Sequence, residues 1–211
     1  MIAIIDLKIS NLASVVNALR LLGVADYAFA NPENLALADT VILPGVGAFG
    51  DGMASLRAQG LVEPIRAAAR GGIPIFGICL GMQLLATSSS EFGDHEGLDL
   101  IPAKVERLQA SAPGYRVPNI GWCDVEPTRP GVLFPDGVGG CFYHVHSYHL
   151  VPHDPSISAA TADFGGRSIT VAVESSQLFG VQFHTEKSQD DGLRVLANFL
   201  RHADALRKAP A

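Results

Sequence analysis

Cys79, His184 and Glu186 are residue types that together can perform nucleophilic catalysis: a thiol, a base to take its proton and a carboxylate to orient the base. Cys79 sits in Gly77-Ile78-Cys79-Leu80-Gly81, behind the apolar run Ile73-Pro74-Ile75-Phe76 and ahead of Met82, Leu84, Leu85 and Ala86. That order predicts a strand, a sharp turn and a short helix. Glycines two residues to either side let the backbone bend around a strained residue, the logic of the G-x-S-x-G nucleophile elbow with sulfur in place of oxygen. Such a turn lifts the side chain clear of the sheet edge. It also sets Cys79 at the first turn of a helix, where free N–H groups and the dipole favour a thiolate. Taken alone, the motif equally describes a buried cysteine filling space at a strand end, and it names no reaction.

The histidines decide whether the thiol has a base. Gly180-Val181-Gln182-Phe183-His184-Thr185-Glu186-Lys187-Ser188 is an alternating strand that ends in a histidine with a carboxylate two residues on, so both project to one side. The carboxylate would fix the imidazole tautomer and stabilise its cation, leaving the other ring nitrogen to accept a proton from sulfur. Ser188 and Asp191 have the spacing of a capping box for a last helix carrying Leu193, Leu196 and Leu200. His144, His146, His149 and His153 cluster on another strand and its exit, the first two on one face, but the Cys and His spacings lack a closed tetrahedral pattern. No metal and no cofactor is expected.

Elements that must position these groups follow from the apolar patterning. Ile2-Ala3-Ile4-Ile5 is a strand; Asn11 is placed to cap a helix through Leu12, Val15, Val16, Leu19 and Leu22 that Gly23 closes. Residues 25–30 read as a second strand and Thr40-Val41-Ile42-Leu43 as a third. Helices are expected at 52–59 and 61–70, before the elbow. Alternating strands and helices predict a mainly parallel, flavodoxin-like open sheet with flanking helices, whose sites lie at the carboxyl ends of the strands. Beyond Ser88 the pattern changes to short strands at 98–108, 121–125, 140–150, 156–162, 168–173 and 178–183 with Pro and Gly turns, an appended antiparallel sheet. Gly45-Val46-Gly47-Ala48-Phe49-Gly50 formally matches G-x-G-x-x-G. It follows the third strand, Pro44 intrudes, and the first strand-to-helix turn has no glycine, so dinucleotide binding fits poorly. A glycine-rich loop there can equally offer N–H groups to an oxyanion.

Composition narrows the classes. With 211 residues, 48% of them hydrophobic and 17% charged, the chain can fill one large core, and residues 1–211 are expected to be a single domain. A net charge of −6 without a long basic run excludes the footprint of a nucleic-acid binder or of an acidic-membrane binder. Three cysteines make no disulfide framework, and the N-terminus enters a strand without the charged start of a signal peptide. A cytoplasmic location is the expectation, with no span long enough for a bilayer.

Gly77-Ile78-Cys79-Leu80-Gly81-Met82-Gln83 together with Gly180-Val181-Gln182-Phe183-His184-Thr185-Glu186-Lys187-Ser188 resembles the class I (triad) glutamine amidotransferases, over essentially the whole length. Within that class, the motifs at 43–53, 117–122 and 142–148 are similar to those of glutaminase subunits of imidazole glycerol phosphate synthases. The resemblance implies that Cys79 attacks L-glutamine, His184 shuttles the proton and Glu186 orients the histidine. It implies an oxyanion hole from the Leu80 and Val46 N–H groups, the latter after a peptide rearrangement. It places Gly47, Gln83, Glu91, Ser147 and Tyr148 around glutamine, and Asn11, Asn119, Trp122, Tyr143 and Lys187 near a partner or in relaying its signal. That partner would be a (β/α)8-barrel synthase subunit forming a heterodimer and receiving the ammonia. For Trp122 and Tyr143, ordinary core packing is the competing account.

Four places depart from the family pattern: Lys8-Ile9-Ser10 replaces a glycine-bearing turn, Asn119 a histidine, Cys123 an asparagine and Thr185 a proline. None removes a triad atom. A divergent copy serving another synthase, a stand-alone cysteine hydrolase of amide or γ-glutamyl bonds, and a non-catalytic binding module therefore stay open at this point.

Overall fold

The structure, a computed structural model, describes residues 1–9, 12–110, 112 and 114–208. Its first half alternates strand and helix: β1 (Ile2–Ile4), α1 (Leu12–Leu21), β2 (Tyr27–Phe29), α2 (Pro32–Leu35), β3 (Thr40–Gly45), α3 (Phe49–Ala58), α4 (Val62–Arg70), β4 (Ile75–Cys79) and α5 (Leu80–Leu84). Strands dominate the second half: β5 (Ala86–Ser89), β6 (His95–Glu96), β7 (Ile101–Arg107), β8 (Asn119–Pro127), β9 (Gly140–His146), β10 (Tyr148–Pro152), β11 (Ser158–Asp163), β12 (Ser168–Ser175) and β13 (Leu178–Val181), closed by α6 (Gln189–Lys208). The expected Asn11 cap of α1 lies outside the described residues.

One sheet of nine strands runs in the order β2-β1-β3-β4-β13-β12-β11-β8-β9. The first five are parallel, and this half has the flavodoxin-like order with β13 in the fifth place. From β13 outward every pairing is antiparallel, so these strands continue the parallel sheet rather than forming a sheet of their own. A second sheet, β10-β7-β5-β6, packs separately. The single strand expected over 140–150 is in fact two: β9 pairs with β8 in the large sheet, and after Ser147 the chain crosses to pair β10 with β7.

The uninterrupted apolar runs of β1, β3 and β4 are explained by burial on both faces. Ile4, Ile42, Phe76 and Ile78 face α1 and α6, with Phe76 stacked on Phe199 at 4.8 Å between ring centroids. Their alternate neighbours Ala3, Ile5, Val41, Leu43 and Ile75 face α3, α4 and the second sheet. Among the described residues no helix is long and apolar enough to cross a membrane.

Ser188 and Asp191 do not act as the expected capping pair. The Ser188 hydroxyl donates to the His184 carbonyl at 2.6 Å and accepts the Tyr143 N–H at 2.9 Å, while Asp191 accepts the Cys141 N–H at 3.0 Å. Both side chains tie β9 to the segment after β13, because β9 leaves backbone donors there that the sheet does not use.

Candidate active site

Cys79 ends β4 with φ 54° and ψ −111°, a backbone conformation that a non-glycine residue adopts at a cost of about 1–3 kcal/mol. The glycines around it are sterically required. A Cβ on Gly81 would stand 1.6 Å from the Leu43 carbonyl oxygen, and one on Gly77 would stand 2.6 Å from the Met82 nitrogen. The bend therefore packs backbone on backbone, and the thiol emerges at the carboxyl edge of the sheet, at the start of α5.

β13 lies beside β4 in parallel register, with Val181 opposite Ile78. Continuing that register brings Gln182 level with Cys79 and carries His184 just beyond the strand end. His184 Nδ1 is 2.7 Å from Glu186 Oε1, both side chains almost fully buried. Its other nitrogen, Nε2, has no hydrogen-bond partner among the described residues. Burial alone would lower the imidazole pKa, but the Cys79 thiol and the Glu186 carboxylate outweigh it and raise the group to about 9. The Cys79 sulfur is thus near enough to raise the imidazole pKa, although no hydrogen bond joins it to Nε2 in this structure.

A cavity of about 140 Å³ opens on Cys79 and is lined by Val46, Gly47, Leu80, Gln83, Glu91, Val145, His146, Ser147 and Tyr148. Every residue assigned above to glutamine or to the oxyanion hole lies on its wall. Two larger clefts, of about 600 Å³ each, lie elsewhere: one beside α6 and Met1, the other against β5 and β7. The Glu91 carboxylate accepts the Phe49 N–H at 2.7 Å, and burial pushes its pKa up against that bond. Gln83 donates to the Tyr148 carbonyl and to Gln182 Oε1, each at 2.9 Å.

Two buried histidines line the same region. His144 Nδ1 and His146 Nε2 are 3.2 Å apart, and His146 Nδ1 is 2.9 Å from the Tyr148 carbonyl. Burial lowers their pKa values to about 3 and about 4, so both are neutral imidazoles. His146 also lies 3.4 Å from the Asn119 amide, which reaches Cys123 Sγ at 3.6 Å.

Trp122 is 49% exposed and meets Tyr143 edge-on at 6.0 Å; Tyr143 stands 6.5 Å from His184 and accepts its N–H through the backbone at 3.0 Å. A half-exposed indole is thereby one aromatic ring away from the His184 imidazole, which ordinary core packing does not describe. Lys187 is exposed beside a recess of about 10 Å³ behind Val46. Asn11 lies outside the described residues. Of the departures, Lys8 adopts φ 62°, the conformation a glycine turn would supply, steadied by Asp6, which accepts its N–H at 2.8 Å. Thr185 is buried with its hydroxyl unpaired.

Comparison with known proteins bears on this geometry directly. The family model described as glutamine amidotransferase class-I matches residues 3–203. The chain is a class-I glutamine amidotransferase. An imidazole glycerol phosphate synthase subunit HisH from Moorella thermoacetica is 48% identical over 206 residues, covering 96% of each chain. The protein of the same description from Syntrophotalea carbinolica is 45% identical and covers 94% of this chain and 98% of its own. Among solved structures, that of PurLQS from Thermotoga maritima superposes with a TM-score of 0.72 at 21% identity, covering 95% and 97%, a likeness of fold. The amidotransferase is therefore an enzyme with glutaminase chemistry. Sequence reasoning passed over Gln182, fully buried with its amide nitrogen 3.7 Å from Cys79 Sγ; a polar residue two before His184 on an alternating strand was the available signal.

Proposed function

We propose that this chain is the glutamine-hydrolysing subunit of an imidazole glycerol phosphate synthase, with Cys79, His184 and Glu186 as its triad and 1–211 as one amidotransferase domain. The observation that carries this is the cavity on Cys79, whose wall holds all five residues assigned to glutamine and both oxyanion donors. His184 Nε2 takes the thiol proton, and Glu186 at Nδ1 stabilises the resulting imidazolium. The sulfur attacks the side-chain carbonyl of L-glutamine, and the Leu80 and Val46 N–H groups hold the oxyanion. The C–N bond then breaks, ammonia departing with the proton returned by His184. Water, deprotonated by the same imidazole, hydrolyses the thioester to glutamate and restores the thiol. Buried Glu91 and the free Gln83 Oε1 suit the α-ammonium of the substrate.

Ammonia passes to a (β/α)8-barrel synthase subunit that forms imidazole glycerol phosphate and AICAR, a lyase step of histidine biosynthesis in the cytoplasm. The partner docks where Ile120 and Trp122 are exposed on β8, and Asn119, Tyr143, Lys187 and Asn11 take the partner-facing roles that the resemblance gives them. An electrophilic glutamine analogue should label Cys79 alone among the three cysteines, read by peptide mass spectrometry, and glutamine hydrolysis should vanish in Cys79→Ala. No label and no hydrolysis, with or without the barrel, would leave only a fold. A divergent copy serving a different acceptor is kept in view by one observation, the bonded pair Asn119 and Cys123 where the pattern has histidine and asparagine. Full stimulation by a standard histidine-pathway barrel with its nucleotide ligand would dismiss that alternative.

A further inference from the structure

Gln182 is fully buried, and its amide lies between the nucleophile and Gln83. The orientation of both amides is forced by one backbone atom. The Tyr148 carbonyl can only accept, so the Gln83 atom facing it at 2.9 Å is nitrogen. The same nitrogen stands 2.9 Å from the Gln182 amide, which must present its oxygen there. The Gln182 nitrogen is left to face Cys79 Sγ at 3.7 Å. With the ends of either amide exchanged, two oxygens or two N–H groups would confront each other in a buried pair, a cost of about 1–3 kcal/mol for each unpaired group.

We propose that Gln182 is a catalytic residue of this site, a fixed N–H donor that stabilises the Cys79 sulfur as an anion and aims it into the cavity, with Gln83 setting its polarity. An N–H directed at sulfur does little for a neutral thiol and more for a thiolate, since bonds to an ionised partner are roughly twice as strong as neutral ones. The thiol's own contact as a donor, to the Val145 carbonyl at 4.0 Å, is long. The donor acts twice in the cycle, because sulfur is the attacking anion in the first step and the leaving anion when the thioester is hydrolysed. The other titratable groups facing the sulfur or its cavity include His184, backed by Glu186, from the segment after β13, His146 from β9, Tyr148 from β10 and Glu91 across the cavity. This inference rests on Cys79 being the nucleophile proposed above.

The test is the rate of iodoacetamide alkylation at Cys79 against pH, followed by peptide mass spectrometry on the full chain, with a circular dichroism melt for each variant. In Gln182→Met the midpoint of the curve should rise by about one unit, with alkylation at neutral pH about tenfold slower. Gln182→Glu, which sets a carboxylate against the sulfur, should move the midpoint further up. Unchanged midpoints in both folded variants overturn the proposal. Should neither fold, Gln83→Met decides instead: it frees the Gln182 amide to turn, so a partial upward shift supports the proposal and an unmoved midpoint overturns it. If the parent protein is not labelled by the electrophilic glutamine analogue, the assignment of the site itself has failed. A labelled parent with immobile midpoints removes Gln182 alone.

Discussion

Desolvation would drive a proton off His184, but two neighbours outweigh it, the Cys79 sulfur and the Glu186 carboxylate, so the imidazole keeps the proton that it takes from sulfur. Its pKa of about 9 in the folded chain, against an ordinary 6.5, has a definite sign for stability. The folded state binds the proton more tightly than the unfolded, so the contribution is fully present below pH 6.5 and is lost as pH rises through about 9. His144 and His146 work in the opposite sense: lowered to about 3 and about 4, they stabilise above pH 6.5 and lose that contribution as pH falls through those values. Glu186→Gln should flatten the alkaline limb of the denaturation midpoint plotted against pH and leave the acid limb in place. In the same variant kcat for glutamine should drop on the order of 10³-fold or more, since the amide no longer supports the imidazolium. A kcat close to the parent's would remove Glu186 from the triad.

At the scale of elements, the strand-turn-helix around Cys79 depends on two missing side chains. Gly81→Ala drives a methyl into the Leu43 carbonyl, and a loss of about 3 kcal/mol or more is expected, read as a melting temperature lower by about 6–12 °C. Gly23 has φ +78° with open space, nothing within 4 Å, where a methyl would stand, so Gly23→Ala should cost only about 1 kcal/mol, the conformational term alone. Comparable losses in the two variants would mean that the tight elbow packing is not what holds the nucleophile. After β13, Thr185 opens a short 3-10 turn with its hydroxyl buried and unpaired, and His184 before it has φ −89° and ψ 103°. A proline is accepted at such a first position after an extended residue. Thr185→Pro should therefore stabilise by about 1 kcal/mol, a rise of about 2–4 °C, with the triad intact. A lower melting temperature would contradict this account of the turn.

For the whole molecule, the antiparallel extension of the sheet is what brings a solvent-facing surface within reach of His184. β8 and β9 are its outermost strands; Trp122 and Tyr143 pair across them, and Tyr143 leads through its ring and its carbonyl to His184. A partner that buries Trp122 would therefore press on a ring that touches the site. Trp122→Ala should weaken binding of the barrel subunit by about 2 kcal/mol or more, roughly 30-fold in Kd by titration calorimetry. It should also blunt the partner's stimulation of hydrolysis while leaving the analogue's labelling of Cys79 in the isolated chain unchanged. Undiminished affinity would move the docking surface off β8.

Much of this was legible in the residues themselves. The elbow and the His184-x-Glu186 step are short-range patterns, whose meaning lies in steric and rotational rules that act within a few bonds, and the alternation of strand and helix follows from periodicity. What sequence could not supply was adjacency. The fifth parallel place is filled by β13, far along the chain, and only that pairing sets Gln182 level with Cys79 and carries His184 to the same end of the sheet. The break of 140–150 into two strands in two sheets was equally hidden, because both pieces share one apolar pattern and differ only in the partner each finds. Hydrogen-bond partners of Ser188 and Asp191 went the same way: their spacing satisfied a local rule, and donors left open on a distant strand claimed them. Local chemistry is written in neighbouring residues, whereas which strands lie side by side is settled by the burial of whole faces at once.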